Sequence, residues 1–291
     1  MSSSPLLLAV TLSLITATPN LSLATPQRIV AASPIAAEIV CALDAFDRLV
    51  AVGDGATWPA ELASLPRVGH ERALTPEAMA ALHPDLVLIT TDAGPPSALD
   101  QLASLRIATA RISSEKTADG ARLRIREVAA ALGLESRGET LVQQFDQELE
   151  SAVRAAASAG PGPRVLFLYA RGGQHQVIAG VKTAADELIR LAGATNATSQ
   201  FEGYRPLTTE ALALSAADVI LMTESGAKSL GGIEAIASLP GLSMTPAGRA
   251  KRVITLDDTL LLGFGPRLGE AVSQLARALH SKPAQPSSAA R

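Results

Sequence analysis

The fold this 291-residue sequence predicts is α/β: two Rossmann-like lobes with mainly parallel sheets, joined by a long connecting helix, with a ligand cleft between them. Three observations predict it. First, a segment is duplicated. Residues 72–92, RALTPEAMAALHPDLVLITTD, align without a gap on residues 205–225, RPLTTEALALSAADVILMTES, 133 positions later. Nine of the 21 positions are identical: Arg72/Arg205, Leu74/Leu207, Thr75/Thr208, Glu77/Glu210, Ala78/Ala211, Ala80/Ala213, Asp85/Asp218, Leu88/Leu221 and Thr90/Thr223. A solenoid repeats every 20–50 residues or so, so these copies read as one unit in each of two similar lobes. Second, strand and helix signals alternate, which implies parallel sheets covered by helices. Third, from Thr117 to about Ser158 strand signals stop, and apolar residues fall at helical spacing among charges.

The elements follow in order. RIVAA is a short β-branched strand, and Ser33-Pro34 opens a helix with a cap residue and a proline at the first helical position. LVAVGDG is a second strand closing in a glycine turn, and RVGHERAL is a loop. Thr75-Pro76-Glu77 opens the next helix by the same logic, followed by the strand LVLITTD, the helix SALDQLASL and the strand IATARIS. In the connecting segment Gly133 and Gly138 are expected to interrupt the helix, with a long helix from about Glu139. GPGP then breaks the chain. The second lobe reads as the strand RVLFLYARGG, the helix TAADELIRLAG, the strands DVILMTE and KRVITLDD, and the final helix PRLGEAVSQLARALH. The divisions are therefore a signal peptide at 1–24, an N-terminal lobe at 25–116, a helical connector at 117–160, a C-terminal lobe at 161–280 and a flexible tail at 281–291. A stiff helical connector predicts small lobe motions.

Composition narrows the function. With 47 % apolar residues the chain can build proper cores, and a net charge of −3 without a basic block makes nucleic acid a poor partner. The single cysteine, Cys41, rules out a disulfide framework and reads as a small buried hydrophobe. Leu6–Ala17 is an apolar stretch followed by Ser22-Leu23-Ala24, a small-x-Ala site before Thr25. It is shorter than the roughly 20 residues that span a bilayer, so it reads as an export signal, although MSSSP carries no Lys or Arg.

The ordered motifs VGHERALTPEAMAALHPDLVLIT, FLYARGG, AGVKTAADELIRLAGATNA, YRPLTTEAL and LPGLSMTPAGRAKRVITLDDTLLLGFGPR resemble the periplasmic haem-binding proteins of bacterial ABC importers. Those proteins belong to the helix-linked (class III) solute-binding superfamily that also carries cobalamin and ferric siderophores. The resemblance runs from about Arg28 to His280. It implies haem as transported ligand, an inner-membrane ABC permease dimer as partner, and an outer-membrane haem receptor system as a candidate source upstream. It also implies a periplasmic location and no catalysis.

In that family a tyrosine usually follows the VG of the first-half loop and ligates iron; here the position is His70. Imidazole is a good axial ligand, and a neutral ligand in place of a phenolate should move the redox potential. The competing reading is an exposed surface histidine, with the ligand elsewhere, for instance Tyr204. Arg72 matches the family's loop arginine and fits a propionate contact. Where some relatives carry a histidine before the Gly-Gly of the second-lobe loop, this chain has Arg171, which cannot ligate iron but suits a propionate. His175 is an alternative ligand if the loop curls back, and Tyr204-Arg205 match YRPL on the second-lobe cleft rim. In the superfamily one surface glutamate per lobe docks on permease arginines, a role that falls on Glu77 and Glu210. The bland reading is that each merely faces a helix N-terminus, which stabilises a carboxylate by about 0.3–1 kcal/mol; the two readings are compatible.

His83 and His280 read as structural residues at helix ends. Arg249, Lys251 and Arg252 are either a solvated loop or an anionic-ligand rim, and Asp257-Asp258 a turn or cleft lip. Two other functions compete: a carrier of cobalamin or another iron chelate, and a cytosolic α/β enzyme. Against the enzyme, the sequence lacks GxxxxGK[ST], a strand-following G-x-G-x-x-G, a G-x-S-x-G elbow and zinc-ligand spacing.

Overall fold

The computed structural model describes residues 25–171 and 175–281. The predicted signal peptide, Gly172-Gly173 and the predicted tail beyond Ser281 lie outside the described residues.

The first lobe is built on β1 (Ile29–Ala31), β2 (Leu49–Val52), β3 (Leu86–Thr90) and β4 (Thr109–Ile112), in the order β2-β1-β3-β4 and parallel throughout. Every residue of β3 is buried, and alternate residues serve opposite faces. Val87 and Ile89 join the core of Val30, Met79 and Leu102, whereas Leu86 and Leu88 join that of Ile29, Ile39 and Ile125.

The second lobe holds β5 (Arg164–Ala170), β6 (Gln176–Ala179), β7 (Thr195–Asn196), β8 (Tyr204–Pro206), β9 (Val219–Thr223) and β10 (Val253–Leu256). Their order is β10-β9-β5-β6-β8, with β7 pairing β5. The pairs β10–β9, β9–β5 and β5–β7 are parallel; β6 and β8 extend the sheet antiparallel. The sequence reading did not anticipate β6, β7 and β8, whose short segments become strands by pairing with β5 or with each other.

In the connector Thr117 caps the helix Ala118–Leu132 by accepting the Gly120 N–H at 3.0 Å. Gly133 ends that helix in the left-handed region, at φ 66°. The helix Glu135–Ser158 follows directly, so the expected second interruption at Gly138 does not occur. Gly138 is buried inside this helix, where an added Cβ would collide with the Ala129 side chain. The glycine is there for close helix approach, which looks in sequence like a stop.

The duplication has a structural reason at its Asp pair. Asp85 accepts the N–H groups of Gln27 and Arg28, at 2.8 and 2.9 Å, just before β1. Its copy Asp218 accepts the N–H of Arg164 at the start of β5, at 2.9 Å. Arg28 donates to the carbonyls of Leu82 and His83, and Arg164 to that of Ser215. His83 and its counterpart Ala216 both turn the chain in the left-handed region, at φ 47° and 44°.

One core runs through both lobes. It joins Ile39 and Leu88 of the first lobe, Ile125 and Phe145 of the connector, and Phe167, Leu188 and Leu275 of the second. The final helix Leu268–His280 packs along Glu135–Ser158. Polar contacts cross the same junction. Arg267 bridges to Glu38 with Nε and Nη2 each 3.3 Å from a carboxylate oxygen, and its guanidinium lies 4.1 Å from the centroid of Trp58. Buried Arg124 donates to the Phe264 carbonyl at 2.6 Å. Pulling the lobes apart would expose apolar surface at about 25 cal/mol per Å² and strand these groups.

Candidate functional site

A cleft of about 1120 Å³ opens between the lobes, at or above the upper end of the roughly 300–1,000 Å³ usual for small-molecule sites. Its first-lobe wall carries Asp92 and Lys116, which follow β3 and β4 at their carboxyl ends, as ligand sites on open α/β sheets do. The second-lobe wall comes from the antiparallel extension. Tyr169 on β5 stands opposite Val177 on β6, and Val177 stands opposite Pro206 on β8, two residues from Tyr204. Alternate residues of a strand share a face. Tyr169, Val177 and Tyr204 therefore make one largely apolar wall with two phenols.

The same alternation sends Arg205 to the other face, where its guanidinium stacks 4.6 Å from the Phe201 ring centroid. Although 48 % of Tyr204 is exposed, burial within the cleft, and then neighbouring Tyr169, hold its phenol above the ordinary value. His175 lines the cleft at the start of β6. Arg171 is exposed at the other foot of that hairpin, outside the lining, with its N–H donating to the His175 carbonyl at 3.0 Å.

His70 is exposed and stands just outside the cleft lining, in a turn closed by the Ala73 N–H donating to its carbonyl at 2.8 Å. Its Nδ1 accepts the Arg72 N–H at 3.1 Å. A neutral imidazole that accepts at Nδ1 carries its proton on Nε2. Ligation of a metal through Nε2 therefore requires the other tautomer, at the expense of the Arg72 bond. Arg72 does line the cleft, but its side chain is committed to Asp92 at 2.6 Å. Asp92 also accepts from the Thr90 hydroxyl at 2.7 Å. Burial opposes ionisation of Asp92, yet the bonds from Thr90 and Arg72 and the charge of Arg72 outweigh it, so the carboxyl is held below its usual value.

Glu77 and Glu210 sit outside the cleft, exposed, in the first turns of the helices Pro76–Ala80 and Thr209–Ser215. The backbone N–H of Glu77, and then Gln101 donating at 2.5 Å, hold the Glu77 carboxyl below its usual value. Thr208 caps the Glu210 helix by accepting the Ala211 N–H at 3.0 Å. The basic cluster is spent within the second lobe: Arg249 donates to the Met244 carbonyl, Lys251 pairs with Glu234, and Arg252 donates to the Leu279 carbonyl. Asp257 caps the helix Asp258–Leu262, and Asp258 accepts from Ser225. None of these five residues lines the cleft. Sequence reasoning passed over two residues that do, Tyr169 and Lys116. The scarcity of aromatics (two tyrosines in the whole chain) was the signal available for Tyr169.

The comparisons agree with this architecture. Residues 29–260 match the family model described as periplasmic binding protein. By sequence the chain is similar to the vitamin B12-binding protein of Pectobacterium atrosepticum, 26 % identical over 91 % of this chain and 93 % of that one. Among solved structures it is similar to the periplasmic heme-binding protein RhuT from Roseiflexus sp. RS-1 in apo form, 38 % identical with a TM-score of 0.85 over 87 % of this chain and 98 % of that one. It is also similar to the periplasmic heme-binding protein BhuT in complex with two hemes, 40 % identical with a TM-score of 0.81 over 87 % and 97 %. A third structure, the heme-binding protein HmuT, is 30 % identical with a TM-score of 0.81 over 88 % and 85 %, and was also solved with single substitutions of a histidine, a tyrosine and an arginine. From the shared fold, the inter-lobe cleft and the match along most of its length, the chain belongs to the periplasmic binding protein family.

Proposed function

We propose that this protein captures haem in the inter-lobe cleft and delivers it to the permease dimer of an ABC importer. The observation that carries the reading is the cleft itself: about 1120 Å³ in volume, walled by Tyr169, Val177 and Tyr204, and rimmed by the loop bearing His70. Spacing supports the two ligands. In HmuT the substituted histidine and tyrosine are 99 positions apart, and the substituted arginine lies two beyond the tyrosine. His70, Tyr169 and Arg171 reproduce those residue types at those intervals. Among the described residues no group of three or more His, Cys, Asp or Glu is placed to hold a bare metal ion. An iron that arrives already chelated by a porphyrin needs only one or two axial ligands.

In this reading His70 is an axial ligand and Tyr169 the second, with His175 the alternative. Arg72 and Tyr204 belong to the propionate and pocket environment, with Arg171 outside the lining at the foot of the β5–β6 hairpin, while Arg205, stacked on Phe201 on the other face, does not. Glu77 and Glu210 are the docking carboxylates, one per lobe, and residues 1–24 direct export to the periplasm. The likeness to the vitamin B12-binding protein favours cobalamin as the second reading.

The test is a haem titration of the mature chain followed by visible absorbance, run beside His70→Ala and Tyr169→Phe. Saturable binding with a sharp Soret band, shifted in each variant, is expected. An unshifted band in either variant removes that residue from the iron. No saturable binding by the wild type overturns the haem reading and directs the same titration to cobalamin.

A further inference from the structure

The cleft wall carries four lysine and arginine side chains, and three of them are already neutralised. Arg72 is paired with Asp92 at 2.6 Å, Lys182 with Glu202 at 2.6 Å, and Arg190 with Glu187 through two bonds of 2.9 and 2.6 Å. Lys116 is the fourth. Among the described residues no carboxylate stands within the 4.0 Å of an ion pair with it, not even Glu71, Asp92 or the adjacent Glu115. It is also half-buried, so its ammonium has lost part of its hydration, and Glu71 and Asp92, beyond ion-pair reach, offset only part of that loss through their charge.

The loop that carries Lys116 is held from beneath. Arg124, itself buried, donates through Nη1 to the carbonyls of Ser113 and Glu115 at 3.0 and 2.7 Å, and through Nη2 to Phe264. The Ser113 N–H donates to Glu127 at 2.7 Å, and Thr117 caps the helix that follows. A lysine with a flexible stem is thus mounted on a fixed base at the cleft wall, opposite the phenols of Tyr169 and Tyr204.

Resting on the haem reading, we propose that Lys116 is the carboxylate anchor of the cleft, its ammonium forming an ion pair with an acid group of the bound tetrapyrrole. The anion supplies the direct ion pair that Glu71 and Asp92, acting only at longer range, do not. Burial first, and then the positive charge of Arg124, hold the Lys116 ammonium below its ordinary pKa in the ligand-free protein, outweighing the opposing charges of Glu71 and Asp92. An arriving carboxylate reverses that balance, so the pair forms with the lysine charged. The other three cations can take an acid group only by giving up a carboxylate they already hold.

The experiment compares ferric haem with its dimethyl ester, which keeps the iron and ring but lacks both acids. Wild type, Lys116→Gln and Lys116→Arg are titrated by visible absorbance, with thermal melts to establish that each variant is folded. Wild type should prefer haem over the ester, and Lys116→Gln should lose about tenfold in haem affinity, as expected for one charge-assisted bond, while binding the ester as wild type does. Lys116→Arg should restore most of the preference. If Lys116→Gln discriminates acid from ester as strongly as wild type, the anchor lies elsewhere and the proposal fails while haem carriage stands. If wild type binds neither compound, the haem reading itself fails and the anchor falls with it.

Discussion

Replacing Arg267 by alanine should destabilise the protein strongly at neutral pH and much less in acid. Arg267 bridges the lobes: its side chain is 13 % exposed, and its two bonds to Glu38 are both 3.3 Å long. Glu38 is 2 % exposed. Burial pushes the Glu38 carboxyl above its ordinary value of 4.5, and Arg267 offsets only part of that rise. A carboxyl whose folded pKa lies above its unfolded one adds stability that is fully present below the unfolded value. That contribution is lost as pH rises through the folded value. Removing Arg267 takes away the attraction and raises the folded value further. Below pH 4.5 Glu38 is protonated in either protein, and the variant loses the hydrogen bonds and the Trp58 contact, together about 1–2 kcal/mol. At pH 8 it must also bury a bare carboxylate or protonate it, and the loss grows to about 3–5 kcal/mol. The Glu270 contact at 3.6 Å is partly exposed and adds little. Urea unfolding of the mature chain at the two pH values measures the difference. Equal losses at both would refute the account and place Glu38 in contact with water.

Three other outcomes follow from the same structure. Changing both Glu77 and Glu210 to glutamine should leave haem affinity unchanged, since neither lines the cleft, and abolish uptake in whole cells; a fall in affinity would contradict the docking role. Small-angle scattering should find nearly the same radius of gyration with and without ligand, because one apolar core continues through both lobes; a large hinge closure would count against it. Cys41 should react slowly with thiol reagents at pH 8 in the folded protein and quickly in urea, because burial, then Glu38 and Glu61, push its thiol up to about 11; rapid labelling of the native chain would show the helix Pro34–Ala42 to be open.

The division between sequence and tertiary structure falls on the cleft. Elements with strong periodicity or a proline opening a helix were legible from residues alone, although neither Ser33 nor Thr75 makes the side-chain cap bond expected of it. The buried run of β3, the Ser33-Pro34 and Thr75-Pro76 helix starts and the 133-residue duplication are local patterns, and together they implied two lobes and a helical connector. The Asp85/Asp218 identity was legible as a repeat, but its reason was not, because each aspartate holds the head of a strand more than 50 residues away. Gly138 looked like a helix stop because a sequence does not say that another helix passes over it. The second-lobe wall depends on β6 and β8, whose pairing with β5 is fixed by the sheet they join rather than by their own few residues. That pairing turns Tyr169 and Tyr204 toward one face and Arg205 toward the other. The lack of a direct ion pair at Lys116 is likewise a tertiary fact: carboxylates at positions 71, 92 and 115 are near it in sequence or space, and the three-dimensional arrangement keeps all three out of ion-pair reach, with Glu71 and Asp92 acting only at longer range.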